Sequence, residues 1–254
     1  MIWHHHSAMQ ESYEEITTAL PRDLNALPRL KGFRLRGLEM TRLESFVDAA
    51  FAFAVTMLVI AGQQVPDNAV TLLKAFKEVP VFAASIAVLA IFWRGHWLWS
   101  RRYGLEDTIS ICISWGLIFT MLVYVYPLKL VFGGMFYFLS NGRLGQRVMV
   151  ETIGQGRALF AVYAAGFSAL AFEILLLNLR AWRLRVPLRL NEWEQNITRN
   201  ELIGWSIPLG VGLASLLLAL TMPPPQIEWS GWIYWSLPIL LRLRGWWRRR
   251  TEAR

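Results

Sequence analysis

The sequence predicts an all-α, polytopic membrane protein with about six transmembrane helices in each chain. Of its 254 residues, 55% are hydrophobic and only 17% are charged, whereas about a quarter of the residues in a soluble domain are charged. The charged residues are also clustered, which leaves long uncharged stretches between the clusters. The 13 tryptophans suit the boundary between membrane and water, where the indole ring is half apolar and its N–H stays hydrated.

A helix that crosses a bilayer needs about 20 mostly apolar residues. The predicted crossings are 43–62, 79–100, 108–128, 158–179, 202–221 and 229–241. The third and the fifth contain no charge, and the fourth contains Glu173. The sixth is short and contains Pro238. It is interpreted either as a re-entrant segment or as a crossing whose ends reach the headgroups through Arg242 and Arg244.

The distribution of positive charge predicts that both termini are cytoplasmic. In that orientation 20 of the 26 Lys and Arg residues lie on the cytoplasmic side, as the positive-inside rule requires. The predicted organisation is a basic cytoplasmic amino-terminal tail at 1–40, a six-helix transmembrane domain at 41–241 and a basic cytoplasmic tail at 242–254. We expect a multi-pass protein of the cell membrane, with residues 30–38 lying on the membrane surface as a basic amphipathic helix. The histidine run at 4–6 is either natural or the remnant of a tag and enters no mechanism.

Several functional classes are disfavoured by the composition. The net charge of +8 would favour nucleic-acid binding in a soluble protein, but here the basic residues flank apolar segments, where they set topology and contact anionic headgroups. Cys112 is the single cysteine, so an internal disulfide is excluded. No GxGxxG, Walker or HExxH pattern occurs, and no paired carboxylates or Ser-His arrangement indicates an enzyme, a cofactor or a metal site.

Ionisable and polar residues of the first three crossings are predicted to meet at one depth near the cytoplasmic face. Arg42 and Asp48 begin the first crossing, His96 is near the end of the second, and Asp107 precedes the third; Trp93 and Arg94 lie at the same level. Ionisable groups inside a membrane are costly and usually face protein or water. Depth alone leaves two interpretations open, a polar network that holds three helices around a pore, or ordinary interfacial charge.

The first crossing resembles that of a known channel family. Arg42, Phe46 and Asp48 form the pattern R-x-x-x-F-x-D, and Thr56 follows eight positions after the Asp. This resembles the first helix of the endolysosomal potassium channel family called transmembrane protein 175, whose signature is R-x-x-x-F-S-D. Trp93-x-x-His96 resembles the Trp and His of the family's second helix, so the likeness covers about 41–128. Val47 replaces the signature Ser, and Phe53 stands where the family has a bulky aliphatic constriction.

The resemblance implies a potassium-selective or weakly selective cation channel, in which the first helix lines the central pore of a homo-oligomer, with a tetramer as the implied state. Phe53, Met57 and Ile60 lie at i, i+4 and i+7 on one helix face, with Thr56 at a similar depth. The implied pore constriction is Phe53, Met57, Ile60 and Thr56, and the implied structural network is Arg42, Phe46, Asp48, Trp93 and His96. The residues alone also permit a different interpretation, in which the stripe only packs against the second and third crossings.

The expected partners are further copies of the chain and a bilayer with anionic headgroups, with potassium as the permeant ion and no nucleic acid. A secondary transporter is the main alternative, although it would be expected to show internal repeats or broken helices, and Pro208 is one candidate break. A non-conducting protein blocked by Phe53 is a third interpretation. Gly210 and Ala214, four apart, predict close helix packing in lipid.

Overall fold

The fold was obtained as a computed structural model, which describes residues 23–60, 67–149, 152–223 and 226–252, with side chains as far as 246. The prediction of an all-α membrane protein is confirmed. The helices are α1 (Arg42–Ile60), α2 (Ala69–Phe76), α3 (Val79–Tyr103), α4 (Thr108–Leu139), α5 (Ile153–Arg183), α6 (Glu192–Thr221), α7 (Trp229–Trp232) and α8 (Ser236–Glu252). Short 3-10 turns occupy Leu24–Ala26, Gln226–Glu228 and Ile233–Trp235. The histidine run at 4–6 lies outside the described residues.

Five of the helices, α1, α3, α4, α5 and α6, are long and apolar enough to cross a membrane. They correspond to the first five predicted crossings. The sixth predicted crossing is also helical, but its residues are divided among α7, a 3-10 turn and the beginning of α8. Pro238 lies in the first turn of α8. A backbone N–H in that turn has no hydrogen-bond acceptor within the helix, so a proline there removes no helical hydrogen bond.

The ends of the long helices follow local chemistry that the hydropathy pattern does not contain. Asn191 caps α6 with Glu194, and Thr152 caps α5 with Gln155, each pair forming a capping box. α3 ends at Gly104, which has a φ of +59° and so adopts the left-handed conformation typical of a helix C-terminus. α4 continues through Pro127 to Leu139, well beyond residue 128, where the third predicted crossing ends.

The amphipathic helix expected at 30–38 is wrong, because this segment forms an antiparallel hairpin of β1 (Arg29–Leu30) and β2 (Phe33–Arg34). Lys31 and Gly32 make the turn with φ values of 51° and 84°, which a helix cannot accommodate. Phe33 is fully buried and meets the ring of Tyr103 edge-on at 5.6 Å. The described part of the predicted tail is therefore packed against the helices.

Close contacts between the helices depend on glycines. A Cβ on Gly166 of α5 would overlap the ring of Tyr124 on α4, and one on Gly212 of α6 would overlap Ser168 on α5. Gly210, which was expected to pack against another helix, has no atom within 4 Å of the position that a Cβ would take. The packing prediction is wrong at Gly210 within the protomer, because the sequence does not reveal which face of α6 meets α5.

Candidate pore-lining helix and polar layer

α1 has two faces of different environment. Val47, Phe51, Ala54 and Leu58 are buried inside the protomer, with Phe51 only 5% exposed. The opposite face is open and carries Arg42, Phe46, Ala49, Phe53, Thr56 and Ile60, spaced by alternating steps of four and three residues. Phe53 is 57% exposed and Ile60 is 62% exposed. An apolar helix with one face packed and one face open presents the open face to lipid or to other chains.

Three of the four predicted constriction residues, Phe53, Thr56 and Ile60, lie on this open face. Met57 is half-buried and packs against the protomer core. The Thr56 hydroxyl donates a hydrogen bond to the carbonyl oxygen of Ala52 at 3.0 Å. Its oxygen can still accept a hydrogen bond or contact a cation, because a hydroxyl has one proton and two lone pairs.

Asp48 is held by the second crossing. Its carboxylate accepts a hydrogen bond of 2.8 Å from the indole N–H of Trp93, and Trp93 stacks on Trp97 with the ring centroids 6.4 Å apart. A carboxylate with a hydrogen-bond donor is less costly at this depth than an unpartnered one. This hydrogen bond connects α1 to α3.

The other predicted network residues make their contacts with different partners. His96 is buried, and its Nε2 lies 3.1 Å from the Ser114 hydroxyl on α4. Phe46 lies against Trp115, also on α4, with the centroids 4.8 Å apart. Arg42 is exposed, and in the part of the chain that the structure describes it makes no ion pair. Of the five predicted network residues, Asp48 and Trp93 therefore contact each other, and Phe46 and His96 contact α4, while Arg42 is exposed.

An ion-paired layer lies at this end of the bundle, and its centre is Glu194 at the start of α6. The Glu194 carboxylate accepts from Arg34 at 2.6 Å and from Arg36 at 2.9 Å, and its side chain is fully buried. The hydrogen bond to Glu194 raises the pKa of Arg34, although burial opposes this. Arg36 and Arg102 also lie over the Phe33 ring, 5.7 Å and 5.3 Å from its centroid. These contacts hold the hairpin against α3 and α6.

Further ion pairs connect the other helices in the same layer. Arg101 pairs with Glu44 at 3.1 Å, Arg102 with Glu201 at 2.8 Å and Arg180 with Asp107 at 2.9 Å. Asp107 was expected to join the network of the first three crossings, but its partner comes from α5. Glu44, Glu194 and Glu201 were not predicted to be structural residues. The N-x-x-E pattern of 191–194 was a usable signal for Glu194, because it is typical of a helix start.

Comparisons with known proteins agree with this architecture. The family described as endosomal/lysosomal potassium channel TMEM175 matches residues 42–127. A protein of Marivirga tractuosa named "Potassium channel" is 30% identical over 226 residues, which cover 82% of this chain and 88% of that protein. The chain belongs to the TMEM175 family. The resemblance predicted from the first two crossings is confirmed, and the relative extends it well beyond residue 128.

Solved structures of TMEM175 proteins have the same fold. The crystal structure of a point variant of the potassium channel MtTMEM175, in complex with a nanobody–MBP fusion, matches with a TM-score of 0.76 and 28% identity. The match covers 90% of this chain and 100% of that one. A lysosomal potassium-selective channel TMEM175 homologue from Chamaesiphon minutus matches with a TM-score of 0.56 over 80% of this chain and 96% of that one. At 19% identity the second match shows the fold alone. TMEM175 proteins are ion channels, which excludes the enzyme class for this chain.

Proposed function

We propose that the protein is a potassium-selective or weakly selective cation channel, a homotetramer whose central pore runs along the open face of α1. The observation that carries this proposal is the division of α1 into a packed face and an open face, with the TMEM175 signature Arg42 and Phe46 on the open side. A surface of this kind is completed when copies of the chain bring their α1 helices together. The names of the Marivirga protein and of MtTMEM175 support potassium as the permeant ion.

In this proposal Phe53 forms the narrowest point of the pore. It lies about 7–8 Å along α1 from Asp48, since each residue rises 1.5 Å. Four Phe rings around an axis would leave a narrow apolar opening, and such an opening passes only an ion that sheds water. Potassium is more weakly hydrated than sodium, so it loses less hydration free energy when it enters the opening. The ring faces also attract a cation, and Thr56 and Ile60 continue the lining further along the helix.

The signature residues have a structural role in this mechanism. The Asp48–Trp93 hydrogen bond and the Phe46–Trp115 contact set the rotation of α1 against α3 and α4. Because a rotation of 100° separates successive helical residues, a small error in rotation would move Phe53 away from the axis. These residues therefore position the constriction without lining it.

The protein is proposed to lie in the cell membrane with both termini in the cytoplasm. The ion-paired layer, the hairpin and the two basic tails then share the cytoplasmic side, where positive charge is favoured and anionic headgroups are available. The transporter alternative is weakened by α6, which continues from Glu192 to Thr221 through Pro208 without a break. A broken helix near the midplane was the feature expected of a transporter.

The substitution Phe53→Ala tests the constriction. In liposomes that contain the purified protein, we expect higher potassium flux and weaker discrimination between potassium and sodium, because the side chain that narrows the pore is removed. Single-channel recording under opposed potassium and sodium gradients would measure both effects.

The matched control is Phe172→Ala, the same change at an exposed residue of α5. Phe51 is a poor control, since removing a buried aromatic ring costs about 3–5 kcal/mol of stability. If Phe53→Ala and Phe172→Ala behave alike, the pore axis does not lie on the open face of α1. If the unaltered protein carries no flux but Phe53→Ala does, the native rings close the pore. Uptake of an ion against its gradient would identify a transporter.

A further inference from the structure

Two adjoining cavities lie at the end of the bundle opposite the ion-paired layer. The larger, of about 550 Å³, opens between the start of α3, the outer part of α4 and the loop that follows α4. The smaller, of about 440 Å³, opens beside α2. The two share Glu78 and Gln146 in their walls. The backbone N–H of Gly145 donates to the carbonyl oxygen of Lys77 at 3.1 Å, which holds the loop in place over both cavities.

The walls of these cavities are positively charged. Lys129 and Arg147 line the larger one, and Lys74 and Lys77 line the smaller one. Glu78 is the acidic residue among the wall residues, and it is only 3% exposed. Burial raises its pKa, although the nearby Lys129 acts against this. Four basic side chains and one buried carboxyl thus give the pair of cavities an excess of positive charge.

An apolar stripe on α4 leads from the larger cavity towards the middle of the membrane. Phe119, Val123, Tyr126 and Leu130 are spaced at i, i+4, i+7 and i+11 and are between 48% and 71% exposed. Tyr126 and Leu130 also line the cavity. The stripe is about 16 Å long at 1.5 Å per residue. That is close to half of the roughly 30 Å hydrocarbon core of a bilayer.

We propose that the two adjoining cavities together bind the headgroup of an anionic phospholipid, whose acyl chain lies along the α4 stripe. The charge of the walls complements a phosphate, and Arg147 can contact two phosphate oxygens at once. A free phosphate would make no use of the stripe, and a neutral lipid would make little use of four cations. The joined polar and apolar parts therefore favour an anionic lipid over either.

Native mass spectrometry of the full chain in mild detergent would test the proposal, with phosphatidylglycerol and phosphatidylcholine added in turn. Phosphatidylglycerol should be retained more strongly, and Arg147→Gln and Lys77→Gln should each weaken its retention by about fivefold, the effect of one basic residue near anionic lipid. Both side chains are exposed, so the fold should be unaffected. Arg143→Gln is the matched control, because Arg143 is exposed on the same loop but outside the cavity walls.

Other outcomes would overturn the proposal. Equal retention of the two lipids, or equal effects of Arg147→Gln and Arg143→Gln, would mean that the cavity does not select an anionic headgroup. Complete displacement of phosphatidylglycerol by millimolar inorganic phosphate, with no effect of Leu130→Asn, would identify a phosphate site without a lipid chain. Dissociation of the oligomer by Leu130→Asn, with lipid retention unchanged, would place the α4 stripe between copies of the chain.

Discussion

Two kinds of carboxylate lie near the ion-paired end of the bundle, and they differ in partner and in burial. Asp48 is partly exposed and accepts one hydrogen bond from an indole. Glu194 is fully buried and accepts from two guanidinium groups. A single hydrogen bond to a charged group contributes modestly to stability, whereas loss of one member of a buried ion pair leaves the other charges uncompensated. The two residues should therefore respond differently to substitution.

Asp48→Ala should lower the free energy of unfolding by roughly 1.5–3 kcal/mol, the contribution of one hydrogen bond to a charged group. Trp93→Phe should cost a similar amount, and the double variant should cost less than the sum, because the two residues share the bond. Thermal unfolding in detergent would measure all three. Unchanged stability together with altered potassium-to-sodium preference in Asp48→Ala would refute the structural role and make Asp48 a pore residue.

Glu194→Gln should be more damaging, with a loss of about 3–5 kcal/mol, because two arginines would remain buried without a counter-charge. The control is Glu192→Gln, two residues earlier in the first turn of α6 and exposed. There only the favourable interaction with the helix N-terminus is lost, about 0.3–1 kcal/mol. Thermal melting of both variants in the same detergent gives the comparison. Equal melting temperatures would mean that the hairpin does not depend on Glu194.

At the scale of helices, packing depends on which residues are small at each contact. α4, α5 and α6 approach closely where Gly166 faces Tyr124 and where Gly212 faces Ser168. The facing ring of Tyr124 is almost fully buried and has no room to move. Without a hydrophobic driving force between helices in lipid, such close van der Waals contact is a main source of association. The contribution of a glycine to helix association therefore depends on whether it lies on the face that meets a neighbouring helix.

Gly166→Ala should destabilise the protein by about 1–3 kcal/mol, the usual cost of overpacking. Gly210→Ala adds the same methyl group where nothing lies within 4 Å, and should be neutral or gain up to about 1 kcal/mol from helix propensity. Thermal unfolding of the two variants separates the effects. A Gly166→Ala variant as stable as the unaltered protein would show that α4 and α5 can move apart without a loss of stability.

At the scale of the whole molecule, the protomer leaves the signature face of α1 uncovered. Phe46, Phe53 and Ile60 on α1 are each at least 45% exposed, and Trp93 and Trp115 beside them are also exposed. A ring of copies would cover the aromatic edges and leave a pore in the centre. Closed cyclic assembly is the usual arrangement when identical chains share one surface.

We expect a homotetramer when the intact protein is weighed by native mass spectrometry in mild detergent. Phe53→Ala should keep this mass, since the constriction faces the axis and not a neighbour. Substitution of Trp115 by Gln, which places a polar group on the exposed side of α4, should weaken the assembly. A stable monomer that still conducts potassium in liposomes would contradict the proposed central pore.

The first five crossings and the family could be predicted from the sequence alone. Both depend on local information, because an apolar run and a short motif can each be recognised within one segment of the sequence, whichever helices pack against it. Tertiary structure decided which face of α1 stays open, where Asp107 and Glu194 find partners, and that 29–34 is a hairpin. Those outcomes depend on residues far apart in the chain, such as Arg34 and Glu194, and a charge acquires its partner only when the helices have packed. The same reason explains why Asp48 and Trp93 meet while Arg42, on the other face of the same helix, remains exposed.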